Sequence, residues 1–70
     1  MDYQKIKIKE EFIRLDSAMK LSNTVSTGGH AKILIQEGLV KVNGEICTAR
    51  GKKLRIGDKF EFDGSGFIIV

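Results

Sequence analysis

Residues 26 to 44, STGGHAKILIQEGLVKVNG, hold a helix start, a helix stop and a hairpin turn in close succession. Ser26 or Thr27 can cap the helix, because a hydroxyl oxygen accepts a bond from one of the first free backbone N–H groups. Gly38 suits the left-handed position that ends it. Between them Ala31, Leu34 and Ile35 recur at spacings of three and four and predict an apolar stripe, with Ile33 at its margin and Lys32 and Gln36 on the open side. Leu39 is placed to pack back on Leu34. The period then changes to two: Val40 and Val42 alternate with Lys41 and Asn43, and Asn43-Gly44 is a turn pair suited to a tight hairpin.

Upstream, KIKIK at residues 5 to 9 alternates charged and apolar, which predicts a strand with Ile6 and Ile8 buried and the lysines toward water, where they block edge pairing. Residues 12 to 23, FIRLDSAMKLSN, read two ways. Phe12, Leu15 and Met19 fit a helical stripe, and Phe12 to Leu15 also fit a short extended piece. Asp16 favours a helix from Ser17 to about Ser22, since a carboxylate there caps the first turn and complements its dipole; Asn23 can end it. Downstream, a return strand is expected around Ile46 to Thr48, then a charged loop over Ala49 to Lys53. Buried Leu54 and Ile56, a Gly57-Asp58 turn, a strand Lys59 to Asp63 with Phe60 and Phe62 inward, a GSG turn and a last strand Phe67 to Val70 follow. The fold class is α+β: two short helices on a small, mostly antiparallel sheet whose first and last strands can pair.

Seventy residues make one domain, 1–70, with no linker or internal repeat, and too little buried surface for a deep pocket beside a stable core. One cysteine, Cys47, excludes an internal disulfide and fits a reducing, cytoplasmic setting. Cys47 and the single His30 cannot build a four-ligand zinc site, and no nucleophile with a base, carboxylate pair or metal cluster stands out. The reading is therefore of no enzyme, no cofactor and no metal. No apolar run is long enough for a membrane span or forms the core of a signal peptide. Net charge is only +3, but the cations cluster: the run ARGKKLR places Arg50, Lys52, Lys53 and Arg55 within six residues. Such cations repel one another, and an anionic backbone relieves this while releasing counterions.

The order RLD at Arg14 to Asp16, then Thr27, Ala31 and Lys32, then LIQEGLVKVNG, then LRIGDKFEF resembles the S-four RNA-binding domain over about residues 13 to 63. The whole layout is similar to the YaaA-like group of small stand-alone bacterial S-four proteins. The resemblance implies a binder of structured RNA, ribosomal RNA in particular, with the RNA held against the helix-rich basic side. Lys20, Lys32, Arg50, Lys52, Lys53 and Arg55 are then the expected phosphate contacts, with Thr27, Gly28 and Gly29 as a helix-start contact. Many S-four domains carry a basic residue where this chain has Gly28. Stacking on single-stranded bases is not the expected mode, since aromatics interleaved with basic residues are scarce on the expected outer surface. A different class of function, a protein-interaction module docking by its sheet edge on a ribosome-associated or replication partner, also fits the sequence. Oligomeric state is not encoded in any pattern of the chain.

Overall fold

The computed structural model describes residues 2–70. In chain order the elements are β1 (Tyr3–Ile6), β2 (Ile13–Arg14), α1 (Leu15–Leu21), α2 (Gly28–Gln36), β3 (Val40–Val42), β4 (Glu45–Ile46), β5 (Lys53–Leu54), β6 (Lys59–Phe62) and β7 (Ser65–Ile69). Five strands form one sheet in the order β1-β7-β6-β3-β4; β1 runs parallel to β7 and the other pairs are antiparallel. β2 and β5 make a separate antiparallel pair. The first and last strands therefore do meet.

α2 starts and stops as its sequence requires. Thr27, not Ser26, is the cap: its Oγ1 accepts from the His30 amide at 3.1 Å. At the other end Gly38 has φ 77°, its N–H donates to the Ile35 carbonyl, and the Leu39 N–H donates to that of Leu34. These two bonds use up carbonyls that the helix would otherwise leave unpaired. α1 ends the same way around Asn23, whose φ is 62°.

The helices cover one face of the sheet. Leu15, Ala18 and Met19 of α1, Ala31 and Ile35 of α2, and Val40, Leu54, Phe60 and Ile69 are all fully buried. Each large side chain among them contributes about 1.5 to 3 kcal/mol by leaving water. Ala18 and Ala31, both inaccessible, let the helices approach closely, and the Phe60 and Phe67 rings stack with centroids 4.8 Å apart.

Several expectations are corrected. The first strand ends at Ile6, although Ile8 still donates its amide to Val70 and is half-buried. α1 begins at Leu15, two residues before the expected start, and Asp16 lies inside its first turn and does not cap it. The strand expected over Ile46 to Thr48 is Glu45–Ile46, which leaves Cys47 and Thr48 outside it. Ile56 is 69% exposed because it sits in the turn before Asp58, where no helix or strand directs it inward. The last turn is Asp63-Gly64 and not GSG: φ values of 52° and 79° fit a two-residue hairpin, and Ser65 and Gly66 already pair in β7.

Gly66 has a clear use on the outer face. It lies between Tyr3 of β1 and Glu61 of β6 in register, so Tyr3 reaches across it and donates its hydroxyl to Glu61 Oε1 at 3.3 Å. Lys59 Nζ stands 5.0 Å over the same ring. Desolvation, then the Glu61 charge and this hydrogen bond, raise the Tyr3 pKa above 10.0. A raised phenol pKa favours the native state below pH about 10, and that contribution is lost as pH rises through the folded value. Tyr3 is the single tyrosine. Titration followed by phenolate absorbance is expected to give a midpoint above the unfolded one, and Glu61→Gln to lower it part of the way.

Asn43 tests the hairpin. It adopts φ 51°, its Oδ1 accepts from the Lys59 amide at 3.0 Å, and its Nδ2 donates to Asp58 Oδ1 at 3.2 Å. Asn43→Gly, which keeps the turn and loses these bonds, is expected to cost about 1 kcal/mol in urea unfolding. Asn43→Ala adds left-handed strain and should cost about 2 kcal/mol.

Candidate nucleic-acid interface

α1 has no side chain capping its start. Its N-cap is Arg14 in an extended conformation, and the first helical amides find their acceptors elsewhere in the chain. The Leu15 N–H donates to the Lys52 carbonyl at 2.9 Å and the Asp16 N–H to the Arg50 carbonyl at 3.1 Å. The basic loop thus supplies the cap of the helix. Because its carbonyls turn toward α1, the loop is held as an ordered edge, with Arg50, Lys52 and Lys53 exposed.

The β2–β5 pair adds a further cation. Arg14 lies directly opposite Lys53, and like charges in that position repel. Asp16 relieves part of this: its Oδ2 is 3.2 Å from Arg14 Nη2, while its Oδ1 accepts the Ser17 amide at 2.8 Å. That is the one ion pair among the described residues. Lys53 turns its ammonium over the Phe12 ring, 4.8 Å from the centroid. The Arg14 guanidinium lies against the loop, and a Cβ added at Gly51 would stand 3.6 Å from its Nη2.

The far end of the loop is pinned by the hairpin. Asp58 Oδ2 accepts the Arg55 amide at 2.8 Å while its Oδ1 is held by Asn43, so Arg55 sits exposed on a turn tied to β3 and β6. Between hairpin and loop runs an open cleft of about 480 Å³, lined by Ile46, Cys47, Thr48 and Lys52 among others. Cys47 is a half-buried free thiol whose Sγ is 3.7 Å from the Ala49 carbonyl.

The remaining expected contacts lie on the helices. Lys20 is exposed in the last turn of α1, and Lys32 is exposed on α2. Thr27 caps α2, and Gly28 and Gly29 occupy its first helical positions. Among the described residues no hydrogen bond or ion pair joins Lys20, Lys32 or Thr27 to Gly29 to the loop. A Cβ at Gly28 would meet nothing within 4 Å, so a side chain there has room.

A family model described as an S4 domain matches residues 6–70. The chain belongs to the S4 domain family. The match takes in more than the stretch from 13 to 63, since it runs from the end of β1 to the end of the chain. This S4 chain is 41% identical over 61 residues to the Bacillus subtilis (strain 168) protein named "Probable ribosome maturation protein RlbA", covering 87% of the chain and 86% of that relative. It is 34% identical over 62 residues to the Escherichia coli (strain K12) protein named "Putative RNA-binding protein YbcJ", covering 89% of each. The solution structure of Escherichia coli YbcJ, described as revealing an αL motif involved in RNA binding, superposes with a TM-score of 0.74 at 30% identity, over all of this chain and 90% of that one. The two helices on a mostly antiparallel sheet are the S4 arrangement. No described helix is long and apolar enough to cross a membrane.

Asp16→Asn removes the carboxylate's charge from the first turn of α1 and weakens its pairing with Arg14. It is expected to lower stability by about 1 kcal/mol in urea unfolding, with an unchanged far-ultraviolet dichroism spectrum.

Proposed function

We propose that this S4 domain is a non-enzymatic, cytoplasmic RNA-binding protein that grips structured RNA, ribosomal RNA in particular, by its phosphates. The observation that carries the reading is the collection of Arg14, Arg50, Lys52 and Lys53 at the start of α1, four cations with one carboxylate, Asp16, paired to one of them. A folded protein gains little from such crowding, whereas a polyanion neutralises it and releases its counterions. The loop is fixed through its backbone, so its side chains meet an RNA with little ordering still to be done. Arg55, Lys20 and Lys32 extend the same contact, and Thr27, Gly28 and Gly29 offer the amide end of α2 to a further phosphate. The names of the relatives, one in ribosome maturation and one in RNA binding, support the choice of RNA and of the ribosome.

Docking on a ribosome-associated or replication protein through a sheet edge is the second reading. It is favoured by Ile46 on the edge strand β4, 63% exposed and close to Gly38.

Binding to a panel of ribosomal RNA stem-loops, measured by fluorescence anisotropy, separates the two. If about four to six phosphates are neutralised, log affinity falls against log salt with a slope of about −3 to −5. Changing Arg50, Lys52 and Lys53 together to Ala should abolish most of that slope, while Gly28→Arg, which has room, should steepen it by about 1. An affinity indifferent to salt would sink the RNA reading; a protein partner retained by the triple variant would favour the second.

A further inference from the structure

The basic loop is not surrounded only by charge. Beside it lies an open cleft of about 560 Å³, lined by Glu10, Phe12, Ile13, Arg14 and Ser17. Phe12 is half-buried, with the Lys53 ammonium over one face of its ring, and Arg14 and Lys53 stand opposite each other across the strand pair. The cleft therefore joins an aromatic and aliphatic surface to one lining cation, Arg14, with the Lys53 ammonium standing over its aromatic ring.

The geometry points to a binding site for one unpaired nucleobase, stacked on Phe12, with the phosphate of the same nucleotide held by Arg14 and Lys53. A phosphate alone does not fit the whole cleft. Glu10 at its border repels an anion and only accepts hydrogen bonds, and Phe12 and Ile13 offer an anion nothing. A flat, neutral base suits that part, since every base has a face that stacks on an aromatic ring and N–H groups at its edge for a carboxylate. Lys53 has a flexible stem, so its ammonium can leave the ring for the phosphate while a base takes up the aromatic surface. The sequence offered little sign of this, because Phe12 and Lys53 are far apart in the chain and meet only through the β2–β5 pairing.

This inference rests on the RNA-binding reading and adds a mode of recognition to it: a base turned out of a loop or bulge is read beside a duplex held by its backbone. Two RNA stem-loops with the same stem provide the test, one with a loop of adenosines and one with an abasic loop of equal length. The wild-type chain should bind the adenosine loop at least 5-fold more tightly. Phe12→Leu, which keeps an apolar side chain at the site, should lose about 5- to 150-fold on the adenosine loop and nothing on the abasic one. The chain has no tryptophan, so Phe12→Trp installs a single reporter whose fluorescence the adenosine loop should quench and the abasic loop should not. Equal affinity for both loops, or an equal loss on both in Phe12→Leu, overturns the base site and leaves backbone binding standing. Failure of the wild type to bind either stem-loop at low salt removes both readings.

Discussion

The amides of Leu15 and Asp16 donate to the carbonyls of Lys52 and Arg50, and the rest of the molecule is arranged so that these bonds can form. A helix start needs acceptors, and here a loop from the other half of the chain supplies them. Leu15 directly follows the extended β2 and is fully buried, as is Leu54 of β5, which stands opposite Ile13. The apolar contacts and the backbone bonds act together. Burial of Leu15 and Leu54 brings the strands side by side, and the bonds then fix the loop at the helix tip. The cations follow as a consequence: residues 50 to 53 cannot cap α1 without displaying Arg50, Lys52 and Lys53 around it.

This coupling explains which parts of the fold the sequence discloses. The cap at Thr27, the ending at Gly38 and the Asn43-Gly44 turn are set by residues within a few positions of one another, so local chemistry specifies them. The burial of Ala31, Ile35, Val40 and Val42 follows equally from period. α1 differs because the partners of its first amides are carbonyls, which every residue has and no side chain advertises. Asp16 is the side chain near that start that suggests a cap, and it lies inside the first turn. Ile56 differs in another way: between turn residues a single apolar side chain has no period to assign it a face, and it remains in water. GSG suggests a turn because Gly64 and Gly66 both suit a bend, but only Asp63-Gly64 leaves Gly66 free to sit under Tyr3.

The candidate interface divides along the same line. The run ARGKKLR is conspicuous in the sequence, and its cations Arg50, Lys52, Lys53 and Arg55 are exposed while Leu54 between them is buried. In the sequence Arg14 belongs to the RLD pattern but not to the expected phosphate contacts, and Phe12 fits either a helical stripe or a short extended piece. Both acquire their meaning from pairing with β5, which places Lys53 opposite one and over the other. Neither relation is visible as spacing along the chain.

The parallel pairing of β1 with β7 also sets an order of events in time. Tyr3 and Glu61, 58 positions apart, come together only when β7 lies between them. Loop closure on that scale is slow compared with forming α2 or the hairpin behind it. Tyr3–Ile6, first in the chain, therefore has no partner on its paired edge until β7, the last of the seven strands, is in place. Gln4 and Lys5, both exposed in the folded chain, leave Ile6 as the one fully apolar side chain that this strand must shield before pairing.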